Sequence, residues 1–154
     1  MFEESVESFV SQWRPYAADV TLFTQAEGSP LLECQAGGAI FGVLARTGPY
    51  SAVNGPAQLI VHLMTEQVTL SAGREQQLEV LGPSRLRATG LVVLRQGRMV
   101  VVNAGAPLVV GSFGALPEGL TAGDWVEVSG LPPVHGFVIP KTVRRTLTPA
   151  DSGI

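Results

Sequence analysis

Charge is scarce in this chain: only 15% of its 154 residues are Asp, Glu, Lys or Arg, against about a quarter in an ordinary soluble domain. So thinly charged a surface leaves apolar area to be covered, most simply by another protein or a second copy of the chain. Cysteine is nearly absent as well. The lone Cys34 excludes an internal disulfide framework and fits a reducing compartment. There are two histidines, His62 and His135, and no Cys/His cluster with the spacing of zinc ligands.

Other absences narrow the chemistry. The chain has no phosphate-binding loop, no Gly-x-Ser-x-Gly elbow and no dinucleotide fingerprint; the glycines of "AGGAIFG" fall at the wrong intervals. Nucleophilic catalysis needs a Ser or Cys beside a His that an acid orients. Here His62 sits inside the apolar run "LIVHLM", His135 follows Pro132 and Pro133, and Cys34 reads as a small buried hydrophobe. Asp124 and Glu127 fall on opposite sides of an alternating strand, so they form no catalytic pair. The chain is read as non-catalytic, without cofactor or metal.

The amino terminus, "MFEESVESF", lacks the basic and apolar regions of a secretory signal. The charge-free run Met99–Pro117 contains Asn103, Pro107, Gly105, Gly111 and Gly114, which suit strands and turns better than a lipid-spanning helix. These features predict a soluble, cytoplasmic protein with no membrane partner.

What is present is mostly strand signal. Phe2, Val6, Phe9, Val10 and Trp13 form one apolar stripe of a short helix, and Pro15 disfavours helical geometry at Arg14. Beyond Tyr16 the chain alternates short Val/Leu-rich runs with Gly, Pro and Asn turns. This predicts an all-β barrel or sandwich.

An internal repeat is also visible. At an offset of 49, Arg46, Gly48, Val53, Asn54, Leu59 and Val61 match Arg95, Gly97, Val102, Asn103, Leu108 and Val110. Downstream, "LSAGREQQLEVLG" lies over "LTAGDWVEVSG" when the first copy carries two extra residues. The organisation expected from this is a helix over 1–15, a first β unit over 16–84, a second over 85–140, and a polar, basic tail over 141–154.

The second unit resembles an OB-fold domain, the small five-stranded Greek-key barrel. The resemblance is carried by "RATGLVVLRQGRMVVVNAGAPLVVGSF" and "LTAGDWVEVSG": a long first strand bent at Gly90, a tight meander, a loop, and a Gly-Asp turn into Val-x-Val. With the repeat, it implies small OB-like barrels arising by internal duplication; the alternative is a single pseudo-twofold six-stranded barrel.

The resemblance also implies a ligand on the face of strands two and three, such as single-stranded DNA or RNA. Charge agrees in sign: Met1–Gly73 holds two basic and seven acidic residues, and Arg74–Ile154 eight basic and six acidic. The residues implied for nucleic acid are Arg85, Arg87, Arg95, Arg98, Phe113, Trp125, Lys141, Arg144 and Arg145. The second expectation is a protein-interaction or homo-oligomeric assembly module using Phe2, Phe9, Trp13 and Trp125. Alternation places Val126 and Val128 inward and Trp125 and Glu127 outward, with Trp125 covered by protein rather than stacked on a ligand.

Overall fold

The computed structural model describes residues 5–23, 28–47 and 54–140. Helix α1 (Val6–Trp13) is capped by Ser5, whose Oγ accepts a hydrogen bond from the Ser8 amide at 3.0 Å. It gives way to one 3-10 turn, Arg14–Tyr16, which contains Pro15, where the sequence places the stop.

Nine strands follow among the described residues: β1 (Ala18–Leu22), β2 (Leu32–Ala36), β3 (Ala39–Ala45), β4 (Gly55–Leu70), β5 (Gln77–Gly82), β6 (Arg85–Gln96), β7 (Met99–Asn103), β8 (Pro107–Ser112) and β9 (Trp125–Val138). The runs "DWVEVSG" and "HGFVIP" belong to one strand, β9. It runs through Pro132 and Pro133 because that stretch lies between the part of β9 paired with β6 and the part paired with β3, where no ladder bond needs their missing N–H groups.

All nine strands form one sheet in the order β1-β2-β3-β9-β4-β8-β7-β6-β5, and two further pairings, β1–β4 and β9–β6, close it on itself. The result is two five-membered rings of hydrogen-bonded strands. The first is β1, β2, β3, β9 and β4; the second is β6, β7, β8, β4 and β9. The long strands β4 and β9 serve both, and register shifts at His62/Met64 and Thr65/Val68 bend their shared ladder.

The two rings obey one pairing scheme. In each, a three-stranded meander (β1-β2-β3, β6-β7-β8) has its first strand antiparallel to the long strand that follows it in the chain, β4 or β9. Its third strand runs parallel to the other long strand, β3 beside β9 and β8 beside β4. This pattern relates β1–β4 to β6–β9, which are not the boundaries of the offset-49 repeat.

That repeat finds no support. It matches Val80 with Val128, yet Val80 lies on β5, outside both rings and 40% exposed, whereas Val128 is 1% exposed in the core. Nor do the pairings separate at residues 84 and 85, since β4 joins β8 and β9 across that boundary.

The interiors of the rings merge into one core, from Leu22, Phe41 and Val43 through Leu59 and Val61 to Val100, Val126 and Val128. Alternation therefore holds where it was read: Val126 and Val128 are buried and Glu127 is exposed. Gly90 is demanded by close approach, because a Cβ there would sit 2.3 Å from the carbonyl oxygen of Asn103. A second, smaller core lies outside the rings, beneath α1. Phe9 and Trp13 pack there on Ile60, Met99, Val101, Val109, Phe137 and Ile139, and each contributes about 1.5–3 kcal/mol of burial.

Candidate functional site

Along β6 the side chains alternate, so Leu86, Ala88 and Val92 enter the core while Arg85 and Arg87 face outward. Arg87 lies opposite Glu79 on β5, with its Nη2 2.7 Å from Oε1, and its Nε is 4.0 Å from Glu127 on β9. Its cation is thus set between two carboxylates on a half-exposed surface, where such pairs are worth about 1 kcal/mol or less. On this outer face of β5, β6 and β9 the carboxylates of Glu79 and Glu127 stand against the cations of Arg85 and Arg87, so it offers no net positive field.

A register shift at Val92/Leu94 places Arg95 opposite the core residue Val100, at the end of the second ring. There its Nη1 donates to the carbonyl of Leu120 at 3.3 Å, and its Nε to that of Gly97. Arg98, in the following turn, donates from Nη1 to the carbonyl of Phe113, whose ring is 56% exposed. The structure therefore brings Arg95, Arg98 and Phe113 to one corner, with both guanidinium groups tying the β6–β7 turn to the chain leaving β8.

The other residues implied for nucleic acid do not join them. Arg85 stands about 33 Å away along β6 at the usual rise per residue. Trp125 is half-buried on the outer face opposite Leu91 and belongs to neither core. Lys141, Arg144 and Arg145 lie outside the described residues, as does Phe2.

The resemblance puts a ligand on strands two and three, which in the second ring are β7 and β8. Their outward residues Met99, Val101 and Val109 are covered by the chain's own Phe9 and Trp13. In the first ring the corresponding outward residues of β2 and β3 are Glu33, Gln35 and Ile40, with no cation among them. Beside this face a shallow groove crosses β1, lined by Asp19, Thr21, Gln35 and Gln58, and the amide of Gln58 donates to Asp19 at 3.2 Å.

Two features escaped the sequence reading. The first is the meeting of His62 and His135, which stand opposite each other on β4 and β9 with ring centroids 6.0 Å apart. His62 Nδ1 donates to the carbonyl of Val109 at 2.9 Å, and the Phe9 ring covers the imidazole at 4.8 Å. His135 Nδ1 lies 2.8 Å from Arg46 Nη1; a guanidinium only donates, so this nitrogen accepts. Cys34 takes no part. It points into the first ring's interior, and burial, with the neighbouring Glu33 charge, pushes its thiol up to about 12.

The second is β5. Among the described residues it pairs only with β6, so its other edge meets no strand of the sheet, and Val80 and Leu81 within it are 40% and 42% exposed. A local signal existed: two adjacent apolar residues in "LEVLG" break the alternation that a strand with one buried face would keep.

The chain matches no family model, no curated protein and no solved structure. Its geometry alone must carry a functional reading. Among the described residues no group of three His, Cys, Asp or Glu side chains is placed to hold a metal ion, and no helix is long and apolar enough to cross a membrane.

Proposed function

We propose that the protein is a non-catalytic, OB-like binding module that works through protein contact, and that its contact element is the free edge of β5. The observation that carries this reading is the edge itself: among the described residues β5 is paired on one side only, to β6, and it carries the exposed Val80 and Leu81. Such an edge is a template for strand addition from another chain. Glu79 is already matched to Arg87. Two copies of "QLEVLG" thus meet antiparallel with no uncompensated charge between them, and the partner is taken to be a second copy of the chain.

The OB likeness is supported by two five-membered rings, each opening with a meander. Protein contact is favoured over nucleic acid because α1 occupies the β7–β8 face and Arg87 sits between carboxylates. The test is the mass in solution by light scattering as concentration rises. A dimer is expected, with V80K reduced to a monomer; a wild-type monomer at high concentration would overturn the reading.

A second reading, single-stranded nucleic acid, rests on the corner where Arg95 and Arg98 adjoin the exposed Phe113, since a stacking ring beside cations suits such a ligand. Binding of a labelled oligonucleotide that weakens with salt and is lost in the R95A/R98A variant would establish it. No shift at low salt would remove it.

A further inference from the structure

The groove beside β1 is the feature that neither β5 nor the arginine corner uses. It exists because a ladder stops early. β1 pairs with β4 along its whole length, Ala18–Leu22, but with β2 only at Thr21↔Gln35 and Leu22↔Cys34. β2 ends at Ala36, where its hairpin turns through Gly37 and Gly38, both at positive φ. That turn lies so close to the backbone of Gly105 that a Cβ on Gly37 would come within 3.1 Å of its carbonyl carbon. The opening left between β1 and the end of β2 has a volume of about 670 Å³, within the range of ligand pockets.

Main-chain groups face this opening. The Phe23 amide donates to the Glu33 carbonyl, and backbone direction alternates along a strand, so Thr21 and Asp19 turn their N–H and C=O groups toward the same side. Thr21 meets Gln35 there. Asp19 lies beyond the last pair, and β2 gives it no partner.

Polar side chains converge on the same place. Asp19, Thr21, Gln35 and Gln58 line the groove and are all exposed. Among the described residues the Asp19 carboxylate accepts from the Gln58 amide at 3.2 Å and has no cation beside it. Glu33 stands on the same outward face of β2 as Gln35. Acidic, acceptor-rich walls reject phosphate and favour a cation, while an N–H and C=O pair on a strand edge suits another main chain. Together they call for an extended peptide that carries Lys or Arg.

Such a peptide starts beside the groove. The Ile139 amide donates to the Gln58 carbonyl at 2.9 Å, on the edge of β4 away from β1. After Pro140 the sequence reads "KTVRR".

We propose that the groove is the docking site of the chain's own basic segment, residues 141–145, with Arg144 and Arg145 set against Asp19 and the segment's backbone against the open edge of β1.

The reach is sufficient. β9, β4 and β1 are successive strands, each about 4.8 Å from the next, so the line of β1 is roughly 10 Å from that of β9. About three residues of extended chain span that gap, which brings Arg144 and Arg145 to Asp19. Attachment through so few residues sets a local concentration of about millimolar, and contacts too weak to hold a separate peptide then suffice. The docking is independent of β5, which lies outside the first ring. It also gives the basic segment a use other than phosphate.

The experiment places a nitroxide on T148C in the full chain, with Cys34 left unlabelled because it is buried. Paramagnetic broadening of the Thr21, Gln35 and Gly37 amides is read by NMR at low salt, with the amides of β5 as a remote reference. Broadening is expected to be several-fold stronger than in D19R. It should also fall as salt rises to about 1 M, where the screening length is about 3 Å. Adding R144E and R145E to D19R exchanges the charges and should restore it.

Equal broadening in wild type and D19R would overturn the proposal, as would failure of the exchanged charges to restore it. So would broadening of an isotope-labelled chain by a separate spin-labelled one, since the segment would then sit on a second copy. If D19R does not fold, D19N and the salt titration decide instead, and broadening insensitive to both overturns the proposal.

Discussion

Phe9 stacks on Phe137, with ring centroids 4.6 Å apart and planes inclined by 30°. This contact joins the helix to the part of β9 that serves the first ring, while Met99, Val101 and Val109, in the same cluster, belong to the second. The helix thus lies across both rings. Replacing Phe9 by Ala should cost about 3 kcal/mol, the range for emptying a buried aromatic site. Urea unfolding at neutral pH measures it, and a loss below about 1 kcal/mol would show that α1 contributes little to the fold.

Gly90 gives a sharper steric test. Alanine there drives a methyl group to 2.3 Å from the Asn103 oxygen and 2.7 Å from its carbonyl carbon. The obstacle is backbone of β7, which cannot turn aside as a side chain does. G90A should therefore destabilise by about 3 kcal/mol or more, read as a fall in thermal midpoint. Wild-type stability would mean that β6 and β7 separate there at little cost.

Cys34 makes a prediction about pH and reactivity. With its thiol held near 12 by burial, the folded protein should resist alkylation at pH 8 and react once unfolded. Because the folded value is raised, the stabilising effect of the neutral thiol is complete below the ordinary value of 9.0. It is then lost progressively as pH climbs toward 12. Comparing C34A with wild type in urea at pH 8 and pH 10.5 checks the sign: the gap between them should narrow in alkali.

Arg95 and Arg98 are expected to act first on the connection from β8 to β9. Each donates to a carbonyl of that connection, Leu120 and Phe113. In R95A/R98A the amides of Gly114 and Gly123, which donate to Glu66 and Val92, should exchange with solvent faster than in wild type, while β3 and β4 keep their protection. Unchanged exchange would leave both arginines without a structural role.

Much of this fold is local pattern and was readable as such. The stripe of α1, the stop at Pro15 and the inward Val126 and Val128 follow from periodicity, because a buried face imposes its spacing on the chain. Pairing partners are different. Nothing in "QLIVHLM" states that β4 lies antiparallel to β9 and parallel to β8, since those neighbours are remote in the chain.

The offset-49 repeat misled for a related reason. "LEV" before Gly82 and "VEV" before Gly130 are alike as strands, but one became an edge and the other a shared wall, an outcome set by neighbours. Arg95 shows the same limit at one residue. Alternation alone cannot reveal the register shift that turns it toward the ring's end. The candidate site was least legible, because His62 and His135 meet only through the β4–β9 ladder.

That ladder has a consequence for how the molecule holds together. Each half of the chain supplies a meander and one long strand, and each lacks the strand that would close its circle until the other half arrives. Severed in the turn at Pro83 and Ser84, the two pieces should each stay incomplete alone and recover structure only on mixing. Assembly of the intact chain is then a single cooperative act, and a slow one, because its decisive contacts join strands far apart in the sequence.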